Sequence, residues 1–172
     1  MKALFVLAPT GFRDEELTVP REKLRKAGIA VTIAGLDMNE STGMLGTKVK
    51  PDILLKDAKI GEYDVVVLPG GRGSREHLID DPCVLALAKT AYEKGKIVAA
   101  ICSSCMIPAK AGILKGKTAT CFNRPEDIEL LKKSGGRYQG MGVAADGNII
   151  TATGPADSEN FADKILEALK KR

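Results

Sequence analysis

Apolar residues in this chain come in short unbroken runs, and between the runs they recur at helical spacing. The runs are "ALFVLA" (Ala3–Ala8), "AVTIAG" (Ala30–Gly35), "YDVVVLPGG" (Tyr63–Gly71) and "IVAAI" (Ile97–Ile101). Strands apolar on both faces belong in a sheet that is covered on both sides. Between the first two runs lies "DEELTVPREKLRKAG". Its Leu17, Leu24 and Ala27 share a helical face, and Gly28 is a stop signal. Pro20 falls inside this segment, which predicts a short or kinked early turn. "DPCVLALAKTAYEKG" is a second helix, with Pro82 near its start, Gly95 at its end and Cys83 on its apolar side. The residues after Cys105 also read as helix. "ADSENFADKILEALKK" closes the chain as another, with Asp157 or Ser158 as its cap.

Such alternation predicts an α/β fold: a doubly wound parallel sheet in a three-layer α/β/α sandwich. Small hairpins are superposed on it. One lies between Gly43 and Lys50. Another is marked by Asp146-Gly147 within "YQGMGVAADGNIITATG". Neither a repeat nor a linker interrupts the pattern, so residues 1–172 read as one domain.

Composition narrows the function classes. The chain is 44% apolar and 28% charged, with a formal charge of +4 spread along its length. Four Phe, three Tyr and no Trp provide little for stacking on bases, so no nucleic-acid partner is expected. The basic end, Lys170-Lys171-Arg172, reads as a helix terminus complementing the helix dipole. "MKALFVLAP" is too short for a secretion signal, and no run is long enough to span a bilayer. The expectation is a cytoplasmic protein without a membrane partner. Its cysteines, Cys83, Cys102, Cys105 and Cys121, are then reduced unless catalytic or redox-sensing.

Ligands of open α/β sheets bind beyond the carboxyl ends of the strands. Three features converge there: Cys102 after "IVAAI", Gly70-Gly71 after "DVVVLP", and the acidic cluster Asp14-Glu15-Glu16 after the first strand. A thiol at a tight strand-to-helix turn, among small residues such as Ala99, Ala100, Ser103 and Ser104, has the pattern of a nucleophile elbow. A helix N-terminus lowers a cysteine pKa. Backbone N–H groups of Ser103, Gly70 and Gly71 are candidates for an oxyanion hole. The competing reading makes Cys102 a small buried residue at a strand end.

"YDVVVLPGG", "IVAAIC" and "TATGPADSENFADKILEAL" together resemble the DJ-1/PfpI (ThiJ/PfpI) superfamily, and "EELTVPREKLRKAGIAVTIAGL" is similar to its DJ-1 branch. The resemblance runs through nearly the whole chain, in order. It implies a flavodoxin-like sandwich, a homodimer or higher homo-oligomer, and a reactive cysteine at Cys102. It also implies a glutamate four residues before the helix proline, hydrogen-bonded to that cysteine; this is Glu16, or Glu15 if the helix register slips. The implied activity is glyoxalase or deglycase chemistry on small reactive carbonyls, without metal or organic cofactor. The alternatives are a redox-responsive thiol protein, in which Cys105 resolves an oxidised Cys102, and a stress chaperone without turnover.

The elbow departs from the family pattern. Ser103, Ser104 and Cys105 replace the usual Ala or His followed by Gly-Pro. No histidine follows Cys102, and the sole histidine, His77, reads as a surface residue, which disfavours a peptidase. Cys121 stands where many members of the DJ-1 branch carry a second histidine, making it a candidate pocket residue. Four cysteines with only one Cys-x-x-Cys pair do not suggest a structural zinc site.

Overall fold

The structure, a computed structural model, describes residues 1–171. The main elements in chain order are β1 (Lys2–Leu7), α1 (Asp14–Lys26), β2 (Ala30–Gly35), β3 (Ile53–Leu54), β4 (Val65–Leu68), α2 (Pro82–Glu93), β5 (Ile97–Ile101), α3 (Met106–Lys110), α4 (Pro125–Lys133), β6 (Val143–Asp146), β7 (Ile149–Ala152) and α5 (Ser158–Lys170). Among the described residues, seven strands form the central sheet in the order β6-β7-β5-β4-β1-β2-β3. Every neighbour pair in it is parallel except β6 with β7.

Side-chain alternation divides the core into two layers. On β5, Ile97, Ala99 and Ile101 enter one cluster with Phe5, Leu7, Leu17, Leu24, Phe161 and Ile165, beneath α1 and α5. Val98 and Ala100 enter the other, with Leu4, Val6, Val84, Ala88, Ile107 and Leu131, beneath α2, α3 and α4. Residues of opposite parity point to opposite faces, so each apolar run supplies both layers. Each fully buried Leu, Ile or Phe contributes roughly 1.5–3 kcal/mol.

The chain winds outward from β1 through β2 to β3, then returns to β4 and continues through β5 to β7. The reversal places a crevice at the carboxyl ends of β1 and β4, where ligand sites form in such sheets. Two minor sheets accompany the central one. Thr10–Phe12 joins Ser41–Gly43, which pairs in turn with Lys48–Val49. Thr118–Ala119 pairs with Arg137–Tyr138.

Local details correct several expectations. Helix α1 runs unbroken through Pro20. A proline there withholds only the bond its N–H would make to the carbonyl of Glu16. The first hairpin begins at Ser41, and the second turns on Gly147-Asn148, with Asp146 paired to Ile149. Asp157 occupies the cap position of α5 without a side-chain hydrogen bond, while Asp81 caps α2 through Cys83 N–H and Val84 N–H. Cys83 is exposed rather than on the buried side, because the residue at that cap faces outward. Helix α4 was not foreshadowed by the apolar pattern. Among the described residues, no helix is long and apolar enough to cross a membrane.

Candidate active site

Strand β5 ends at Ile101, and the next residue, Cys102, has φ of 61°. It is the one described non-glycine residue with positive φ. Such a conformation costs on the order of 1–3 kcal/mol and persists where the surroundings over-determine it. Here they do so through hydroxyls. Ser103 Oγ donates to the Gly71 carbonyl at 2.9 Å, and Ser104 Oγ donates to the Pro69 carbonyl at 2.6 Å. Ser104 Oγ also lies 2.6 Å from Ser74 Oγ. The two serines thus fasten the cysteine turn to the glycine turn after β4.

A helix does not follow at once. Cys102–Cys105 forms a tight 3-10 turn, and α3 has only five residues. The expected pull of a long helix dipole on the thiol is therefore replaced by individual N–H groups. Those of Ser103 and Gly71 donate to the Cys102 sulfur. Gly70 plays another part: its N–H donates to Glu16 Oε2 at 2.8 Å. Of the three expected oxyanion donors, Gly70 is thus committed to the carboxyl, and Gly71 and Ser103 face the sulfur.

Glycine is required at both turn positions. A Cβ on Gly70 would lie 2.7 Å from the Ile101 carbonyl oxygen, and 2.8 Å from both Cys102 Cβ and Glu16 Oε2. Gly71 has φ of 104°, in the region that L side chains rarely adopt.

Glu16, in the first turn of α1, has no exposed surface. Its carboxyl lies beside the Cys102 thiol, near enough for each to act on the other's titration, and Oε1 has no hydrogen-bond partner among the described residues. Burial pushes the Glu16 carboxyl up to about 7, against the Gly70 and Cys102 hydrogen bonds that favour its charge. Burial, and then the Glu16 charge, push the Cys102 thiol up to about 12, against the Ser103 and Gly71 N–H groups. The second of these causes vanishes if the proton sits on Glu16. The carboxyl then donates to the sulfur, and the thiolate keeps its two backbone donors. In that arrangement one proton serves both groups.

The other acids of the cluster have structural tasks. Asp14 accepts from Leu45 N–H and Thr47 N–H at 2.8 Å each, tying the first hairpin to α1. Glu15 pairs with Arg13.

Cys102 opens into a cavity of about 250 Å³ lined by Arg13, Glu16, Met44, Gly71, Arg72, Arg75, Cys102, Ser103, Phe122 and Pro155. Cys121 lies outside this lining: it is buried, and its neighbour Phe122 takes the place at the wall. Burial, and then Asp127, push its thiol up to about 12. Cys105 is fully buried in the opposite core layer, its sulfur directed at the carbonyls of Ala100 and Ala152 at 3.4 and 3.5 Å. All four cysteines are free, and Cys105 would have to leave its layer to bond Cys102. His77 is half-exposed, 3.4 Å from Thr10 Oγ1.

Sequence reasoning missed the arginines. Arg72 and Arg75 follow the glycine turn directly in "PGGRGSR", and Arg13 immediately precedes the acidic cluster. Basic residues on the two loops that end at the strand mouth were the available signal. Met44, Phe122 and Pro155 reach the cavity from segments that only the tertiary fold brings there.

The DJ-1/PfpI family profile matches residues 1–168. The chain belongs to the DJ-1/PfpI family. An uncharacterised protein of Methanocaldococcus jannaschii is 42% identical over 99% of this chain and 83% of its own length. A protein of Pyrococcus furiosus named as the deglycase PfpI is 32% identical over 99% of this chain and 100% of its own. Among solved structures, a ThiJ/PfpI domain protein from Brachyspira murdochii superposes with a TM-score of 0.95 at 30% identity, covering 99% of this chain and 97% of that one. The DJ-1/PfpI membership agrees with the sheet order and layers described above.

Proposed function

We propose that the protein is a cofactor-independent enzyme acting on small reactive carbonyls, a 2-oxoaldehyde or an early aldehyde adduct, with Cys102 as nucleophile and Glu16 as proton carrier. The observation that carries this reading is the buried carboxyl of Glu16 held against the sulfur by Gly70 N–H. The deglycase name of the Pyrococcus furiosus relative supports the reaction class.

The steps balance without an outside oxidant. With the proton on Glu16, the Cys102 thiolate adds to the aldehyde carbon. A C–S bond forms, and the carbonyl π electrons move to oxygen, which receives the Glu16 proton. The N–H groups of Gly71 and Ser103 stabilise the developing negative charge on that oxygen. Glu16, now a carboxylate, removes the C–H proton of the hemithioacetal and returns it to the neighbouring carbon, while the hydroxyl proton passes from the first oxygen to the second. The resulting thioester is hydrolysed by water, releasing a 2-hydroxy acid and the free thiol. For an early adduct, the reverse of carbonyl addition releases the amine or thiol. Substrate orientation comes from the cavity wall.

Incubation with methylglyoxal, with lactate as readout, tests the proposal. Wild type and Cys105→Ser are expected to form lactate, and Cys102→Ser to form none. Equal lactate from Cys102→Ser and wild type overturns it. A peroxide arm followed by intact mass separates the disulfide alternative: loss of two protons, absent in both serine variants, would replace the carbonyl reading with a Cys102–Cys105 redox pair.

A further inference from the structure

Three arginines line the cavity that contains the nucleophile: Arg13, Arg72 and Arg75. Each has a carboxylate partner. Arg13 pairs with Glu15 at 2.8 Å, Arg72 with Glu76 at 3.3 Å, and Arg75 with Asp127 through both terminal nitrogens. None of the three partner acids is among the residues that line the cavity, and Asp127 is nearly buried. Glu16 is the acid in the lining, and it is the one whose burial favours the neutral form. The lining thus carries three arginines and no carboxylate other than Glu16.

The arginines come from two loops that meet at the strand mouth. Arg13 caps α1, and its N–H donates to the Gly70 carbonyl at 2.9 Å. Arg72 and Arg75 follow the glycine turn, Arg75 within a single wide turn over Ser74–Leu78. Their proximity to the reacting pair is electrostatically felt: the charge of Cys102 acts on Arg75, and that of Arg13 acts on Glu16. Arg75 is fixed by Asp127, which is almost fully buried, so its guanidinium is pre-placed rather than swinging in solvent. Arg72 is mostly exposed, at the rim. Clustered positive charge on the wall and a nucleophile in the same cavity suit a molecule with an oxyanion at one end and an electrophilic carbon at the other.

We infer that the site selects electrophiles carrying their own carboxylate or equivalent oxyanion, so that its carbonyl substrate is an anionic one. This rests on the proposed role of Cys102 as nucleophile, and it adds the class of substrate. The wall draws the anion in, and the Met44 and Phe122 side chains cover the apolar remainder of the molecule.

Iodoacetate and iodoacetamide, nearly equal in size, test it. Both alkylate a thiolate with loss of iodide, and only iodoacetate is charged. Rates at Cys102 are read by intact mass and peptide mapping, with N-acetylcysteine measured in parallel. The iodoacetate-to-iodoacetamide rate ratio at Cys102 is expected to exceed that of N-acetylcysteine by about fivefold. It should fall toward the N-acetylcysteine value in Arg75→Gln and in Arg72→Gln, the latter at an exposed position that folding does not depend on. A ratio equal to that of N-acetylcysteine, or one unmoved by both substitutions, overturns the inference. Failure of the carbonyl reading appears elsewhere, as lactate formation surviving Cys102→Ser, so the two failures are distinguishable.

Discussion

At the scale of single residues, the site is a contest between burial and hydrogen bonding over one proton. Glu16 titrates near 7 in the folded protein against 4.5 when free, because burial penalises its charge. A raised carboxyl pKa stabilises the fold fully below the unfolded value, and that contribution is lost as pH rises through the folded one. Wild type should therefore lose stability between about pH 4.5 and pH 7, by roughly 3 kcal/mol at most. Glu16→Gln keeps the shape and the bond from Gly70 N–H but cannot ionise. Denaturant titrations across that window should show a flatter profile for the variant. Identical profiles would remove Glu16 as the titrating group. The same substitution is expected to lower turnover of methylglyoxal by about 100-fold or more, since the amide cannot carry the proton.

At the scale of elements, two turns make the site, and each is over-determined by the other. Gly70→Ala puts a methyl group against the Ile101 carbonyl, Cys102 Cβ and the Glu16 carboxyl, and has no flexible neighbour to displace. It should destabilise the protein by about 2–3 kcal/mol. Ser104→Ala leaves the Pro69 carbonyl and the Ser74 hydroxyl short of a buried partner, at a cost of about 1–2 kcal/mol. Thermal unfolding checks both. These turns also mark how far sequence reading reaches. The strands of the site were legible because "ALFVL", "VVVL" and "IVAAI" are apolar at every position, and a parallel sheet permits little else. The elbow was legible from a thiol among small residues. Glu16 became legible only through family resemblance, since nothing in Asp14-Glu15-Glu16 distinguishes three adjacent carboxylates by role. The unbroken helix at Pro20 was illegible because one missing hydrogen bond among many does not end a helix packed on a core. The helix expected after Cys105 is there as α3, but it is short, and a tight turn separates it from the left-handed Cys102.

At the scale of the whole molecule, the cavity draws on segments far apart in sequence: Arg13 and Glu16, Met44, Gly71 to Arg75, Cys102, Phe122 and Pro155. Few of these could be paired by eye along a chain, which is why the arginine wall was missed. Helix α4 enters the site indirectly, by supplying Asp127 to Arg75. Removing this nearly buried acid strands a guanidinium that is itself partly covered. Asp127→Ala is expected to cost about 2 kcal/mol, discounted for the solvent exposure of Arg75. That corresponds to a drop in melting temperature of roughly 6 °C for a chain of this size. An unchanged melting temperature would mean that the pair contributes nothing to holding α4 against the site.

The shared proton is tested most directly by the pH dependence of Cys102 alkylation with iodoacetamide, followed by intact mass in wild type and Glu16→Gln. The account predicts a rise in the wild-type rate through about pH 7, then a plateau, as the pair loses its first proton. The variant should lack that step and show a single thiol titration. Superimposable curves, with reactivity appearing only in the ordinary thiol range or above it, would contradict the claim that Glu16 and Cys102 hold one proton between them.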